Sequence, residues 1–534
     1  MDGTTTDAPV LVVGAGPVGQ TAALLLARRG VEVVVVDARQ ARDAVGSKAI
    51  CQQRDVLDVW DSVGAGRQLA EEGVTWTTAR TFHRDTELFS MRFVDRGRSP
   101  FPPFVNISQG RTEQVLDERI AEQSLVDLRW GHRVVALEQD DAGVRVRCET
   151  AAGPVDLRAA YVLGCTGARG GLRELLGLGF PGRSFDDQFL ICDVRTDLPG
   201  WESERRFYFD PSWNPGRQVL IHPCPDSTYR IDWQVPPDYD LDDDVASGGL
   251  DRRIREVIGD RSYDVVWRSV YRFHSRLVSR MRVGRVLLAG DAAHLVAPFG
   301  ARGLNAGVLD AENAAWKLAF LLRGLGGEEL LESYHAERHA AARENLEVTT
   351  ATMRFLVPQD EPEWARREQL LQAAGSDPQA RAQVDSGRLA EPFWYVDSPL
   401  TTAAAHRPFP GRPEKGHTPE PGPGVLVPDA PVTVAGRPEV GRLRQLARGL
   451  DAADALLVLT DDAQLDLPEA PVDVHRLGDV DPTGALADAL GYRPGEVWLV
   501  RPDAHVAAVL FRPTPDVVRE AALRALGRTL PVPV

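Results

Sequence analysis

The chain has 534 residues, 43% of them hydrophobic and 26% charged, which allows large cores in about three domains. Its 77 acidic against 61 basic residues leave a formal charge of −16, which argues against nucleic-acid or anionic-membrane partners, since both need a basic face. The five cysteines form no C-x-x-C pair and no apolar run reaches the roughly 18 residues of a membrane span, so disulfides, a zinc site and a transmembrane helix are not expected. No basic leader precedes Val10, and a reducing cytoplasm is the expected location.

From Val10 the sequence "VLVVGAGPVGQTAALLLARRGVEVVVVDAR" reads as strand, tight turn, helix and strand. A helical stretch covers 54–63, strand-like alternation 80–105, and "ISQGRTEQVLDERIAEQ" a helix with Val115, Leu116 and Ile120 on one stripe. Strand-like runs at 132–139, 143–149 and 155–164 lead into "LGCTGARGG". Between about 180 and 270 the composition turns aromatic, and "YRIDWQV" alternates as expected of a sheet with one covered face. Helical character returns at 304–323 and continues to about 395. Residues 405–424 are rich in Pro and Gly, and a small α/β unit without cysteine follows.

Two stretches carry most of the chemistry. Gly14, Gly16 and Gly19 form G-x-G-x-x-G between a strand and a helix, and Asp37 ends the next strand 18 residues beyond Gly19. Glycines permit a tight turn and close approach to a pyrophosphate on the positive helix end, while the carboxylate accepts hydrogen bonds from a ribose. This unit binds an ADP moiety without distinguishing FAD from NAD. The second stretch, residues 284–319, delivers Gly290 and Asp291 from a strand to a loop. Pro298, Gly300 and Gly303 then lead into a helix near Leu304. Val308, Ala311, Ala315, Leu318 and Leu322 predict a helix buried on one side, whose N-terminus suits an anionic ring system.

The patterns G-D-A-A-H and P-F-G-A-R-G-L-N resemble those of the FAD-dependent aromatic hydroxylases of the p-hydroxybenzoate hydroxylase type, over about residues 8–390. The C-terminal unit looks like the thioredoxin-like appendage of the phenol, phenylpropionate and polyketide hydroxylases. The fold so implied is α/β: a Rossmann-like FAD-binding domain (1–80, 106–179 and 271–400) interleaved with substrate-domain strands (81–105) and a substrate-binding β-sheet domain (180–270). A Pro/Gly linker (401–424) and a thioredoxin-like domain without C-x-x-C (425–534) complete it.

The resemblance further implies that Asp291 binds the ribityl chain, that Pro298 lines the flavin face where oxygen reacts, and that the backbone around Gly303, Leu304 and Asn305 holds the pyrimidine end. Gln109 matches a flavin-contacting glutamine and Arg54 an arginine near the FAD phosphates or ribityl chain, with a solvated helix charge as the plain alternative for Arg54. The family's G-C-D-G-A-R-S segment stands here as Gly164, Cys165, Thr166, Gly167, Ala168, Arg169, Gly170, so a threonine replaces a carboxylate near the pyrophosphate. That departure is either drift in a working loop or a sign of altered NAD(P)H use.

Phe207, Phe209, Trp213, His222 and Trp233 are candidate substrate contacts, although alternation turns about half of such residues away from any one face. His222 and His274 are candidate phenol-deprotonating bases, with a structural role as the alternative for each. The implied activity is hydroxylation of a phenolic or polyketide-type aromatic through a flavin C4a-hydroperoxide, with NADPH or NADH reducing the flavin. The implied partners are a small aromatic substrate and O2, with a homodimer as candidate assembly. Other readings keep the fold but perform Baeyer–Villiger oxygenation or substrate oxidation, or make the chain a non-catalytic flavin-binding protein.

Overall fold

The computed structural model describes residues 6–43, 49–92, 99–387, 389–413, 418–449, 455–461, 465, 467 and 470–528. The expected units at 1–5, 44–48, 93–98, 388, 414–417 and the remaining C-terminal positions lie outside the described residues there.

Four consecutive valines, Val33–Val36, are all buried, as expected of a parallel strand covered on both faces. They lie beside Thr6–Val13, which pairs in parallel with Gly153–Gly164, itself parallel to Val286–Leu288. Val126–Arg129 extends the same sheet on the other side of Val33–Val36. The parallel strands therefore come from stretches far apart in sequence, and their carboxyl ends converge. That edge, where ligands of open α/β sheets bind, carries the Gly14 turn, Asp37, the Cys165–Gly167 loop and Gly290.

After Val286–Leu288 the chain makes one 3₁₀ turn, Gly290–Ala292, and enters the second sheet directly as His294–Leu295. This second sheet has eight strands, including the long pair Gly182–Arg195 and Asp264–Leu277 and the strands Glu204–Phe209, Val219–Cys224 and Thr228–Val235. The Gly290 turn is thus the joint between the sheets, and a cavity opens there.

Thr228–Val235 departs from the expectation of one covered face. Tyr229, Ile231 and Trp233 pack on one side with Leu250, Ile254 and Ile258 of the helix Gly249–Ile258. On the other side Arg230 and Gln234 are buried and Asp232 is half-buried, with Arg230 and Asp232 lining the cavity. Polar alternation here marks a cavity, not a water-facing surface.

The helix Gly303–Leu322 is buried around nearly its whole circumference, not on one side as its apolar stripe predicts. Ala311, Ala315 and Leu318 pack on the parallel sheet, while Trp316 and Phe320 pack on the C-terminal unit. Its polar residues survive burial because they are partnered: Lys317 Nζ donates to Glu337 and Ser333, both at 2.7 Å, and Arg448 reaches Glu312 at 2.7 Å.

The C-terminal unit is a four-stranded mixed sheet, Val472–Arg476, Leu456–Thr460, Glu496–Val500 and Val506–Phe511 in spatial order. It docks through buried ion pairs, Arg501 with Glu337 at 2.6 Å and Arg444 with Asp55 at 2.7 Å. The Pro/Gly-rich segment before it is anchored as well, since Arg407 pairs with Glu496 at 2.7 Å.

Candidate functional site

The glycine turn shows three uses of one residue type. Gly14 has φ of +109°, and a Cβ there would stand 2.3 Å from the Cys165 carbonyl oxygen, so turn and Cys165 loop touch backbone to backbone. A Cβ on Gly19 would lie 1.9 Å from the Gly14 oxygen. Around Gly16 nothing comes within 4 Å of a Cβ position, leaving open space over the helix Pro17–Arg28, whose N-cap has no side-chain hydrogen bond. These are the features an ADP pyrophosphate needs. Asp37 accepts from Ala15 N at 2.8 Å and is braced by Arg39. Arg42, which motif reading missed, joins the Ala15 carbonyl at 2.9 Å to Glu113 at 2.7 Å, fixing the turn to the helix Gln109–Ala121.

Behind the Gly290 turn sits Asp310, fully buried. It accepts from Gly290 N at 2.9 Å, from Arg338 Nε at 2.7 Å, and pairs with His294 Nε2 at 2.7 Å. The network holds the turn so that Asp291 projects into the cavity. The following loop contains Gly300 at φ +88° and the non-glycine Ala301 at φ +58°, a strained position of the kind that clusters at functional sites. Asn305 ties this loop down, donating to Ala301 O at 2.6 Å and Cys51 O at 3.0 Å and accepting from Gln53 N at 3.0 Å. The helix that starts at Gly303 has no side-chain N-cap, so its first N–H groups and dipole face the cavity.

In the Cys165 loop, the buried Thr166 Oγ1 has no hydrogen-bond partner among the described residues. Gly167 has φ of +71°, and a Cβ on Gly170 would lie 2.0 Å from Thr166 Cβ and 2.7 Å from its carbonyl oxygen, so the loop requires glycine at 170 whatever side chain stands at 166. Arg173 links this loop to the Gly290 turn, donating to Ala168 O at 2.5 Å and Ala292 O at 3.1 Å.

The opposite wall is the second sheet. Strand register sets Arg205, His222 and Arg230 in one cross-strand row, and Leu220, Asp232, Ile191 and Ser269 in the next. Arg230 is neutralised by Asp193 at 2.7 Å. Arg205 is buried, donates to Ser386 O at 2.9 Å, and has no carboxylate partner among the described residues. Burial pulls its pKa down to about 10, so it stays charged at neutral pH. His222 Nδ1 and Asp232 Oδ1 are both buried without a hydrogen-bond partner. Burial, then Arg205 and Arg230, hold His222 well below the usual imidazole range, whereas burial pushes Asp232 up to about 7.

One cavity of about 320 Å³ brings together Gln109, Asp291, Pro298, Gly303, Leu304 and Asn305 with His222. Pro17 and Val18 connect it to the glycine turn. Arg54 starts the helix Arg54–Asp61, and neither it, Thr166 nor Gly167 lines the cavity. Phe207 and Phe209 point toward the cavity side of the sheet but pack wholly buried with Phe189, Phe273 and Phe299. Strand alternation turns Trp233 to the far face, and Trp213, in the turn between Glu204–Phe209 and Val219–Cys224, packs edge-on against Tyr208 in the same far-side cluster. His274 also falls off the lining, its Nδ1 2.8 Å from Ser184 Oγ. Arg205 and Asp232 were missed. The signal for Asp232 was present in "YRIDWQV", but the aromatic half of that alternation drew the reading and the polar half faces the cavity.

Several known proteins are similar to this chain. A 3-(3-hydroxy-phenyl)propionate/3-hydroxycinnamic acid hydroxylase of Mycobacterium sp. (strain JLS) is 28% identical over 381 residues, 71% of this chain and 66% of the relative. The chain thus spans just under two thirds of that relative's length. The flavin-dependent monooxygenase PieE, solved with FAD and substrate, has the same fold, with TM-score 0.81 at 24% identity over 97% of this chain and 98% of its own. OxyS anhydrotetracycline hydroxylase from Streptomyces rimosus follows with TM-score 0.70 at 27% identity over 98% and 100%. Glycine turn, Gly290 joint and uncapped helix all fall within residues 7–349, over which the sequence matches the profile of the FAD binding domain family, and the chain belongs to that family.

Proposed function

We propose that this chain is an FAD-dependent monooxygenase that hydroxylates a phenolic or polyketide-type aromatic compound, using O2 and NADPH or NADH. The observation that carries this reading is one cavity with two unlike walls: glycine backbone and an uncapped helix end on one, buried polar side chains of a sheet on the other. The activities that the phenylpropionate and anhydrotetracycline hydroxylases are named for agree with it.

The Gly14–Gly19 turn and Asp37 would hold the ADP half of FAD, Gln109 and Asp291 its ribityl part, and the N–H groups from Gly303 to Asn305 its ring. Bound FAD supplies the two-electron chemistry that activates O2 and delivers one oxygen atom. The N-terminus of Gly303–Leu322 stabilises negative charge beside it. Pro298 offers that wall a side chain with no donor, and Phe189, Phe273 and Phe299 exclude water from the reacting centre. Across the cavity, Arg205, His222 and Asp232 fix a polar substituent of the substrate ring and so orient it.

Anaerobic mixing of the purified flavoprotein with NADPH and then NADH, with and without a panel of phenols, tests this reading. Flavin bleaching should accelerate with one phenol, and isotopically labelled O2 should leave one labelled atom in the product. Product without label would mean substrate oxidation instead. Persistent yellow with both donors, relieved by Thr166→Asp, would locate the difference in the Cys165 loop.

A further inference from the structure

Resting on the hydroxylase reading, a remaining question is which group takes the proton of a hydroxyl on the substrate ring. The cavity offers few acceptors, and of its two carboxylates Asp291 stands at the Gly290–Ala292 turn, on the wall opposite the sheet. Guanidinium groups have none. Burial pushes the Cys51 thiol up to about 12 and also raises Tyr271, so both remain protonated. His222 stands in the row between Arg205 and Arg230, where a proton would add a third positive charge out of water. Asp232 differs. It lines the cavity, its Oδ1 is buried, and among the described residues no hydrogen bond reaches its carboxylate. A buried carboxylate without a donor is costly unless a ligand supplies one.

We propose that Asp232 is the catalytic base of this cavity, taking the proton of a phenolic or enolic hydroxyl seated against the sheet while Arg205 faces the resulting oxyanion. The substrate O–H bond breaks, an O–H bond to the carboxylate forms, and the electron pair stays on the substrate oxygen. No oxidant takes part in this step. The negative charge moves a short way within the field of the same two guanidiniums, so little reorganisation is needed. The charged and titratable groups around Asp232 are Arg230 on its own strand, His222 and Cys224 on the neighbouring strand and Arg205 beyond it, Asp193 and Cys192 on Gly182–Arg195, and Tyr271 on Asp264–Leu277; burial raises both thiols to about 12. Asp193 is committed to Arg230 by two hydrogen bonds, at 2.7 and 2.9 Å. Burial lifts Asp232 to about 7, against the pull of Arg230, which suits a base working near neutrality.

The test compares wild type, Asp232→Asn and Asp232→Glu as FAD-loaded holoenzymes, with 3-(3-hydroxyphenyl)propionate as a weakly acidic phenol and 4-nitrophenol as an acidic one. For the weak acid, Asp232→Asn should lower kcat about 100-fold and remove an acid limb near pH 7 from the wild-type profile. With the nitrophenol at a pH where it is already ionised, the deficit should shrink to about threefold or less. Asp232→Glu should recover part of the rate and restore the acid limb. FAD content and unfolding midpoint establish that each variant is folded. An equal deficit for both phenols, or no deficit for either, overturns the assignment and leaves the hydroxylase reading standing. Wild-type turnover of a phenol to product that carries no oxygen atom from labelled O2 overturns both.

Discussion

On the cofactor wall nearly every feature is backbone. Gly14 and Gly19 are glycine because a Cβ would strike a carbonyl oxygen at 2.3 or 1.9 Å, Gly16 because the space above it is to be filled by something else, and the helix at Gly303 because its N–H groups are left uncapped. On the sheet wall nearly every feature is a side chain. Arg205, His222 and Asp232 meet because three strands pair in one register, and a slip of one residue would send them to the far face. Backbone recognition fixes spacing along the chain. Side-chain recognition fixes nothing along the chain except parity.

The largest effects should come from breaking the backbone wall. Gly14→Val and Gly19→Val should abolish FAD retention, with affinity down at least about 1,000-fold by equilibrium titration, because backbone must shift. Gly16→Val should leave the thermal unfolding of apoprotein unchanged and still weaken FAD strongly, since its side chain enters only open space. Equal apoprotein destabilisation by all three would erase the distinction between packing and cofactor glycines.

Next comes the support of the joint. Asp310→Ala strips Arg338 and His294 of their buried partner and should destabilise by about 3–5 kcal/mol in denaturant unfolding.

The sheet wall is sharpened by pH. Asp232 is raised in the folded protein from 3.8 to about 7, so the folded state holds a proton the unfolded state releases. Its contribution to stability is complete below the unfolded pKa and is lost as pH climbs through the folded one. Asp232→Asn should therefore gain on wild type between about pH 4 and 7 and exceed it by roughly 2–4 kcal/mol at about pH 8. Parallel unfolding curves for the two proteins would show that this carboxyl is not shifted.

A smaller effect separates the two faces of the sheet. Trp233→Phe, on the far face, should cost about 1–2 kcal/mol of stability with KM for the substrate unchanged. Smallest of all, Thr166→Asp should change the flavin reduction rate by about threefold or less if Thr166, whose Oγ1 has no hydrogen-bond partner among the described residues, is a neutral replacement in the loop.

The same contrast explains how far a reading from residues alone could reach. The parallel core was legible because all-valine strands and a G-x-G-x-x-G turn are local patterns, and the Gly290–Asn305 segment was legible because a glycine-punctuated strand, loop and helix stand in sequence. The aromatic mid-region was misjudged. Phe207, Phe209, Trp213 and Trp233 drew attention as ring-shaped partners for a ring-shaped substrate, yet they are the packing of the sheet, and the polar residues between them line the cavity. Alternation in "YRIDWQV" announced two unlike faces without saying that both would be covered.

What the sequence by itself determined is therefore what depends on neighbours a few residues apart: the glycine turn, the uncapped helix, the strand parities and the absence of a thiol pair in the C-terminal unit. What only the tertiary structure decided is which parity looks inward, that Asp232 and Arg205 share a cavity with Asp291 and Pro298, and that the helix Gly303–Leu322 is enclosed on both sides. The physical reason is range. Backbone turns and helix ends are set by local sterics, whereas burial of Asp232, and so its readiness to take a proton near neutrality, is set by strands and helices up to hundreds of residues away.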